Sequence, residues 1–265
     1  MKEGMRRAGW DDLSRELDAW MVEGRVATLW WRDDDAIKVT GALETMLEIC
    51  KNTRTPLAVA VIPAHAENEL RQRIVRCEGV CVLQHGFAHA NHEPEGSKKS
   101  EFGVLRETGS VESELRQGHE RFADWETFVP VFVPPWNRID DRFLDLLPRL
   151  GVIGISTFKA RKARYSVPGL QAANCHVDII ESKNGARCFI GVGAALRALI
   201  DHLSSRRLGR VDRGEPSGIL THHLDHDEES WTFMEQLLNL IANHPAGRWL
   251  GAKEVFINPS QHETV

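Results

Sequence analysis

Residues 57–83 decide the fold: Leu57-Ala58-Val59-Ala60-Val61-Ile62, a helical stretch over 67–76, then Val80-Cys81-Val82-Leu83. Both flanking runs are apolar at every position and show none of the polar alternation of a strand with one face in water. Such strands are buried on both faces and lie parallel beneath the helices that connect them. The unit therefore reads strand, helix, strand.

The alternation continues outward in both directions. A strand over 26–31 and a helix over 42–51 precede it. Before them, Trp10, Leu13, Leu17, Trp20 and Met21 recur at helical spacing, which predicts an amphipathic helix ending near Gly24. This N-terminal unit, 1–25, is expected to pack on a main domain spanning 26–258. Downstream come a polar excursion over 93–108, a helix near 112–125, a strand at 129–133, a helix at 141–150 and a strand at 152–156. Residues 159–173 are basic and punctuated by Pro and Gly, as in a surface loop. Short strands follow near 177–180 and 188–190. The last third has a helix over 194–203, a strand over 218–221 and a helix over 231–242, with Trp231, Met234, Leu238 and Ile241 on one face. An apolar segment at 255–257 closes the chain. No composition shift marks a linker and no repeat is visible, so a single α/β domain is expected, either a (β/α) barrel or an open doubly wound sheet.

Composition sets the limits of function. With 265 residues, 42% hydrophobic and 27% charged, disordered, collagen-like and coiled-coil classes drop out. Lys and Arg total 33 against 38 Asp and Glu, a formal net charge of −5. No overall positive field draws the chain to nucleic acid or to a membrane surface. Residues 1–24 lack the pattern of a secretory signal, and no apolar run approaches the roughly 20 residues that span a bilayer. A cytoplasmic protein is expected. The five cysteines, Cys50, Cys77, Cys81, Cys175 and Cys188, are odd in number and scattered, as free thiols would be.

Polar clusters stand where the strands end, and in a barrel those ends share the face on which active sites are built. Asp33, Asp34 and Asp35 follow the apolar Leu29, Trp30 and Trp31, so ionised carboxylates that repel one another enter the domain and need a cation nearby. An N-cap or a solvated turn is the plainer reading. His85 and His89 are four apart, which puts two imidazoles on one side of a helical turn. A pair of surface histidines is the plainer reading of that spacing, but two imidazoles and one aspartate make a catalytic zinc set with a position left open for water. His92 falls out of this series, as a surface or supporting residue. His222 and His223 end a late strand among carboxylates, where one of them can serve as a general acid or the stretch is simply a solvated polar loop. Trp30 and Trp231 read as core, whereas Trp31 and Trp136 are candidates to stack on a bound ligand.

Taken in chain order, these segments resemble the polysaccharide deacetylase family, the NodB-like carbohydrate esterases of family 4. Trp31-Arg32-Asp33-Asp34-Asp35-Ala36 looks like its first motif, His85 and His89 like its second, Phe132-Val133-Pro134-Pro135-Trp136-Asn137 like its third, and Leu220-Thr221-His222 like its fifth. The resemblance implies a distorted (β/α) barrel and a metal-dependent hydrolase that removes an N-acyl group from an amino sugar or a related small amide. It implies Asp34 as catalytic base, and Asp35, His85 and His89 as ligands of Zn2+ or another divalent transition metal. Trp136 would hold the oxyanion through its backbone N–H, and His222 would be the general acid. The partner is a small-molecule or carbohydrate substrate. There are departures. Val133 stands where the family has an arginine that contacts the base, leaving Arg32 and Arg138 as candidates to replace it. The fourth motif's Asp and Trp are missing near 154–158, and Ala36 replaces a glycine. The third aspartate leaves Asp33 and Asp34 as an alternative working pair. A retired deacetylase that binds metal or glycan, and an amidohydrolase of a non-sugar metabolite, are the rival readings.

Overall fold

The computed structural model describes residues 8–183 and 185–257. The first seven residues of the expected N-terminal unit and the expected domain limit at 258 lie outside them.

The chain runs through α1 (Trp10–Val22), β1 (Ala27–Ala36), α2 (Gly41–Thr53), β2 (Leu57–Val61), α3 (Asn68–Ile74), β3 (Val80–His85), α4 (Thr108–Arg121), β4 (Phe128–Val133), α5 (Leu146–Arg149) and β5 (Gly154–Ile155). Then follow β6 (Tyr165–Val167), β7 (Leu170–Ala172), β8 (Cys175–Asp178), β9 (Ile180–Lys183), β10 (Ala186–Phe189), α6 (Val192–Arg207), β11 (Ser217–Thr221), α7 (Glu228–Asn243), β12 (Gly247–Trp249) and α8 (Ala252–Phe256). The main sheet has the order β6-β7-β5-β4-β3-β2-β1-β11-β8, with β12 paired to the start of β1. Its pairings are parallel except β6 with β7.

The chain from β7 into β8 joins the two ends of this sheet. The Ala173 N–H donates to the Ile155 carbonyl at 3.1 Å and the Cys175 N–H to that of Thr157 at 3.0 Å, while β8 pairs with β11. Phe158 and Cys175 form a further parallel bridge. The sheet thus returns on itself as a distorted barrel, as the resemblance implies.

The apolar side chains of β1 alternate between two cores. Trp30 packs inside the barrel with Ala58, Ala60, Leu83, Val131 and Leu220, whereas Leu29 and Trp31 pack outside, under the helices. Small alanines opposite one Trp keep the interior filled without strain. Helix α8 plugs one end. Phe256 meets Trp30 edge-on at 5.8 Å, and a Cβ on Gly154 would lie 2.3 Å from its ring. Leu13, Leu17 and Trp20 of α1 belong to the outer core, but Met21 is exposed.

The structure corrects several expectations. Strand β1 runs on through Ala36 because Asp33 and Asp34 find buried partners and need no solvent. The helix expected over 141–150 is a 3-10 turn, Asp141–Phe143, followed by α5, since Pro148 would sit inside a continuous helix without an N–H to donate. The loop expected over 159–173 contains β7, buried beside β5. The closing segment is helical, started by Glu254, whose carboxylate accepts the Gly251 N–H. The described cysteines are all free, and Trp30 is fully buried. Among the described residues no helix is long and apolar enough to cross a membrane.

Candidate metal and acid–base centre

The three aspartates of β1 take three different roles. Asp33 faces outward. Its carboxylate accepts the Thr221 hydroxyl at 2.6 Å and the His223 N–H at 2.9 Å, and meets His223 Nδ1 at 2.5 Å. Burial opposes charge on both partners, yet each draws the other into its ionised form, His223 raised and Asp33 lowered. This pair fastens β1 to the chain leaving β11 and leaves Asp33 no free oxygen for chemistry.

Asp34 faces the barrel interior, two residues along the same strand face from Arg32. Arg32 Nε lies 2.9 Å from Asp34 Oδ1, and Nη2 donates to Oδ2 at 3.0 Å. The rest of the guanidinium is satisfied by the Ser156 hydroxyl and carbonyl and by Asn137 Oδ1 at 2.7 Å. Arg138 instead reaches the Lys99 carbonyl. Of the two candidates, Arg32 is the one that contacts Asp34.

Asp35 sits where the β1–β2 pairing slips register, with φ 75°. Aspartate tolerates this left-handed conformation better than most residues. The slip brings its carboxylate to the barrel mouth, with Oδ1 3.1 Å from His85 Nε2 and 3.3 Å from His89 Nε2. The three ligand atoms lie within 4.8 Å of one another. Two donors about 2.0–2.1 Å from one tetrahedral ion are themselves roughly 3.3 Å apart, so the set fits a zinc-sized cation. His85 Nδ1 lies 3.0 Å from the Val133 carbonyl, and donating to it leaves Nε2 as the lone-pair atom. Val133 thus contributes through its backbone, which any side chain would allow. Burial opposes charge on His85, but Asp34 and Asp35 raise its pKa; burial and His85 lower that of His89.

The histidine pair is not on a helical turn. His85 ends β3, and His89 follows a loop in which Gly86 has φ 59° and His89 φ 56°. A Cβ on Gly86 would lie 2.5 Å from Pro135 Cγ, so glycine is required there. His92 is exposed.

Beyond β4, Pro134 and Pro135 lead into two successive left-handed residues, Trp136 at φ 55° and Asn137 at φ 56°. Such a conformation costs a bulky residue of order 1–3 kcal/mol and recurs at functional sites. The Trp136 ring packs tilted at 52° against that of His89, with centroids 4.3 Å apart, and a cleft of about 910 Å³ opens beside Asn137 and Arg138.

His222 closes the ring. Its Nδ1 is 3.2 Å from Asp35 Oδ2 and its Nε2 is 3.6 Å from Asp178 Oδ2. Burial works against the charge, but Asp178 and Asp35 push its pKa up to about 10. The structure therefore brings together Asp34, Asp35, His85, His89, Trp136 and His222, and sends Asp33 and His223 elsewhere.

Solved structures share this arrangement of strands. A Mycobacterium smegmatis protein assigned as a polysaccharide deacetylase matches with a TM-score of 0.64 at 12% identity, over 91% of this chain and 93% of that one. The fold is that of the polysaccharide deacetylases. A family 4 carbohydrate esterase from Streptomyces lividans, in complex with acetate, matches at TM-score 0.53 and 15% identity, over 85% of this chain and 97% of that one. A family 4 acetyl xylan esterase from Clostridium thermocellum, in complex with a cobalt ion, matches at 0.53 and 10%, over 87% and 91%. No family sequence profile and no curated protein matches the chain.

Within the polysaccharide deacetylase fold, two residues near the centre escaped the sequence reading. Asp178, the last residue of β8, pairs with His222, although the fourth motif's acid was sought near 154–158. Arg187, on the β9–β10 hairpin, reaches to 3.7 Å from Asp35 Oδ2 and pairs with Asp225 at 2.9 Å. Asp178 fell inside the strand expected near 177–180 and so carried no strand-end signal, whereas the structure ends β8 there; Arg187 carried no signal either.

Proposed function

We propose that the protein is a divalent-metal-dependent hydrolase that removes an N-acyl group from an amino sugar or a related small amide. The observation that carries this reading is the convergence of Asp35, His85 and His89 at the barrel mouth, between Asp34 on one side and His222 on the other. A cation held by the three ligands would supply Lewis-acid polarisation and make water acidic enough to ionise near neutral pH. Asp34 takes the proton of the attacking water, and Arg32 keeps the carboxylate in place. The Trp136 N–H meets the negative charge that develops on the acyl oxygen, a single donor contributing roughly 3–4 kcal/mol. His222, held by Asp178, gives its proton to the departing amine. The cleft beside Asn137 supports a substrate with a body beyond the amide.

Neighbours of this fold that are described as peptidoglycan N-acetylglucosamine deacetylase and acetyl xylan esterase support the same class of chemistry. The Arg32–Asp34 pair favours a working base over a retired one. Metal analysis of the purified protein, followed by assay against a panel of N-acetylated sugars and small amides, tests the proposal. Turnover that depends on about one bound equivalent is expected, and bound metal with no turnover of any panel member would favour the retired reading.

A further inference from the structure

The segment read only as a polar excursion returns a buried carboxylate beneath the histidine loop. Asn91 Oδ1 accepts the Ser100 N–H at 3.0 Å, and the His92 N–H donates to the Ser100 carbonyl at 3.0 Å. These bonds pinch the ends of the 91–100 loop together and deliver Glu101 directly under residues 86–90. Glu101 is almost completely buried. Its carboxylate accepts the Phe87 N–H at 3.1 Å and the Ala88 N–H at 2.7 Å, with the Ala90 N–H at 3.5 Å. A Cβ on Gly86 would fall 2.1 Å from Glu101 Oε2, so the glycine leaves space for this oxygen as well as for Pro135.

Without Glu101, the Phe87 and Ala88 amides would face the protein unpaired, since this loop belongs to no strand or helix. An unpaired buried donor is costly. His89 follows Ala88 directly and needs a positive φ to aim its ring at Asp35. The loop's other backbone groups are held by the Gly86 N–H donating to the Val133 carbonyl, the Gln84 side-chain amide donating to the Gly86 carbonyl and the Ala64 N–H donating to the Phe87 carbonyl. None of these fixes the stretch between Ala88 and His89.

We propose that Glu101 is a positioning residue for the metal centre: by accepting the Phe87 and Ala88 amides it fixes the turn that presents His89 to the Asp35–His85 pair. This rests on the metal-centre reading above. Supporting groups around metal ligands are commonly worth 10–100-fold in metal affinity. Glu101→Gln keeps the size of the side chain but offers an N–H where an acceptor is needed.

Cobalt titration of the full chain, followed by visible absorption, separates the outcomes. In the wild-type background Glu101→Gln should weaken Co2+ binding about 10–100-fold. In a His89→Ala background, which no longer holds its ion tightly, the residual weak affinity read at high cobalt should change little, because the loop acts through His89 alone. Equal losses in both backgrounds, or no loss in the first, overturn the proposal. A wild type that takes up no cobalt contradicts the metal-centre reading and removes the proposal with it. Hydrogen exchange on the metal-free wild type guards against a variant that fails to fold. The Phe87 and Ala88 amides should be protected although they lie in a loop, and exchange at the rate of open loop amides overturns the proposal.

Discussion

Arg32 and Asp34 occupy the same inward face of β1 and form a two-pronged ion pair, with 2.9 Å between Nε and Oδ1 and 3.0 Å between Nη2 and Oδ2. One strand thus supplies both the acid at the mouth and the cation that holds it. Removing one partner strands the other charge in the interior, whereas removing both does not. Arg32→Met should cost about 3–5 kcal/mol in urea unfolding, and the Arg32→Met/Asp34→Leu double variant should recover most of it. A double variant as unstable as the sum of its parts would show that Arg32 serves Ser156 and Asn137 more than Asp34.

His222 should set the alkaline limb of the rate profile. A general acid works only while protonated, so rate falls as pH rises through its pKa. Asp178 and Asp35 place that pKa above the ordinary histidine value, at about 10. A cation on Asp35 would draw it back toward neutrality by withdrawing negative charge. His222→Asn should lower amide hydrolysis about 10²–10⁴-fold, with a much smaller loss for an activated ester whose leaving group needs no proton. If His223→Asn shows that dependence on leaving group and His222→Asn does not, the assignment moves one residue along.

Away from the mouth, His176 and His202 stack at 3.6 Å against β11, where His202 Nδ1 meets the Ser217 hydroxyl at 2.9 Å. Burial and His176 push the His202 pKa down to about 2, from 6.5. Between those values the unfolded chain binds a proton that the folded one refuses. Stability is therefore lost as pH falls below about 6.5, by at most about 1.4 kcal/mol per pH unit for one such group. His202→Gln should lose less stability between pH 7 and pH 5 than the wild type, read as the shift in urea midpoint. An identical shift would mean that His202 takes up its proton in the folded state.

Much of this arrangement is legible in the sequence. The all-apolar runs at 57–62 and 80–83 announced parallel buried strands, and acids and histidines at strand ends announced a shared mouth. What escaped depended on long-range pairing. β7 looked like loop because its short run of residues is buried only once the barrel closes over it. The role of Arg32 was half visible, since residues i and i+2 share a strand face, but that required β1 to extend past Trp31. Polarity argued against the extension until Thr221 and His223 supplied partners for Asp33. Glu101 gave no sequence signal at all, because its partners are backbone amides more than ten residues away.

Zinc stoichiometry across five proteins tests the central claim most directly. Equilibrium dialysis should find about one equivalent on the wild type and on Asp34→Asn, with turnover lost in the latter. It should find none retained on Asp35→Asn, His85→Ala or His89→Ala, because a three-ligand site that loses one donor no longer holds its ion tightly. A full, tightly bound equivalent on any of those three variants would contradict the assignment of Asp35, His85 and His89 as the metal site.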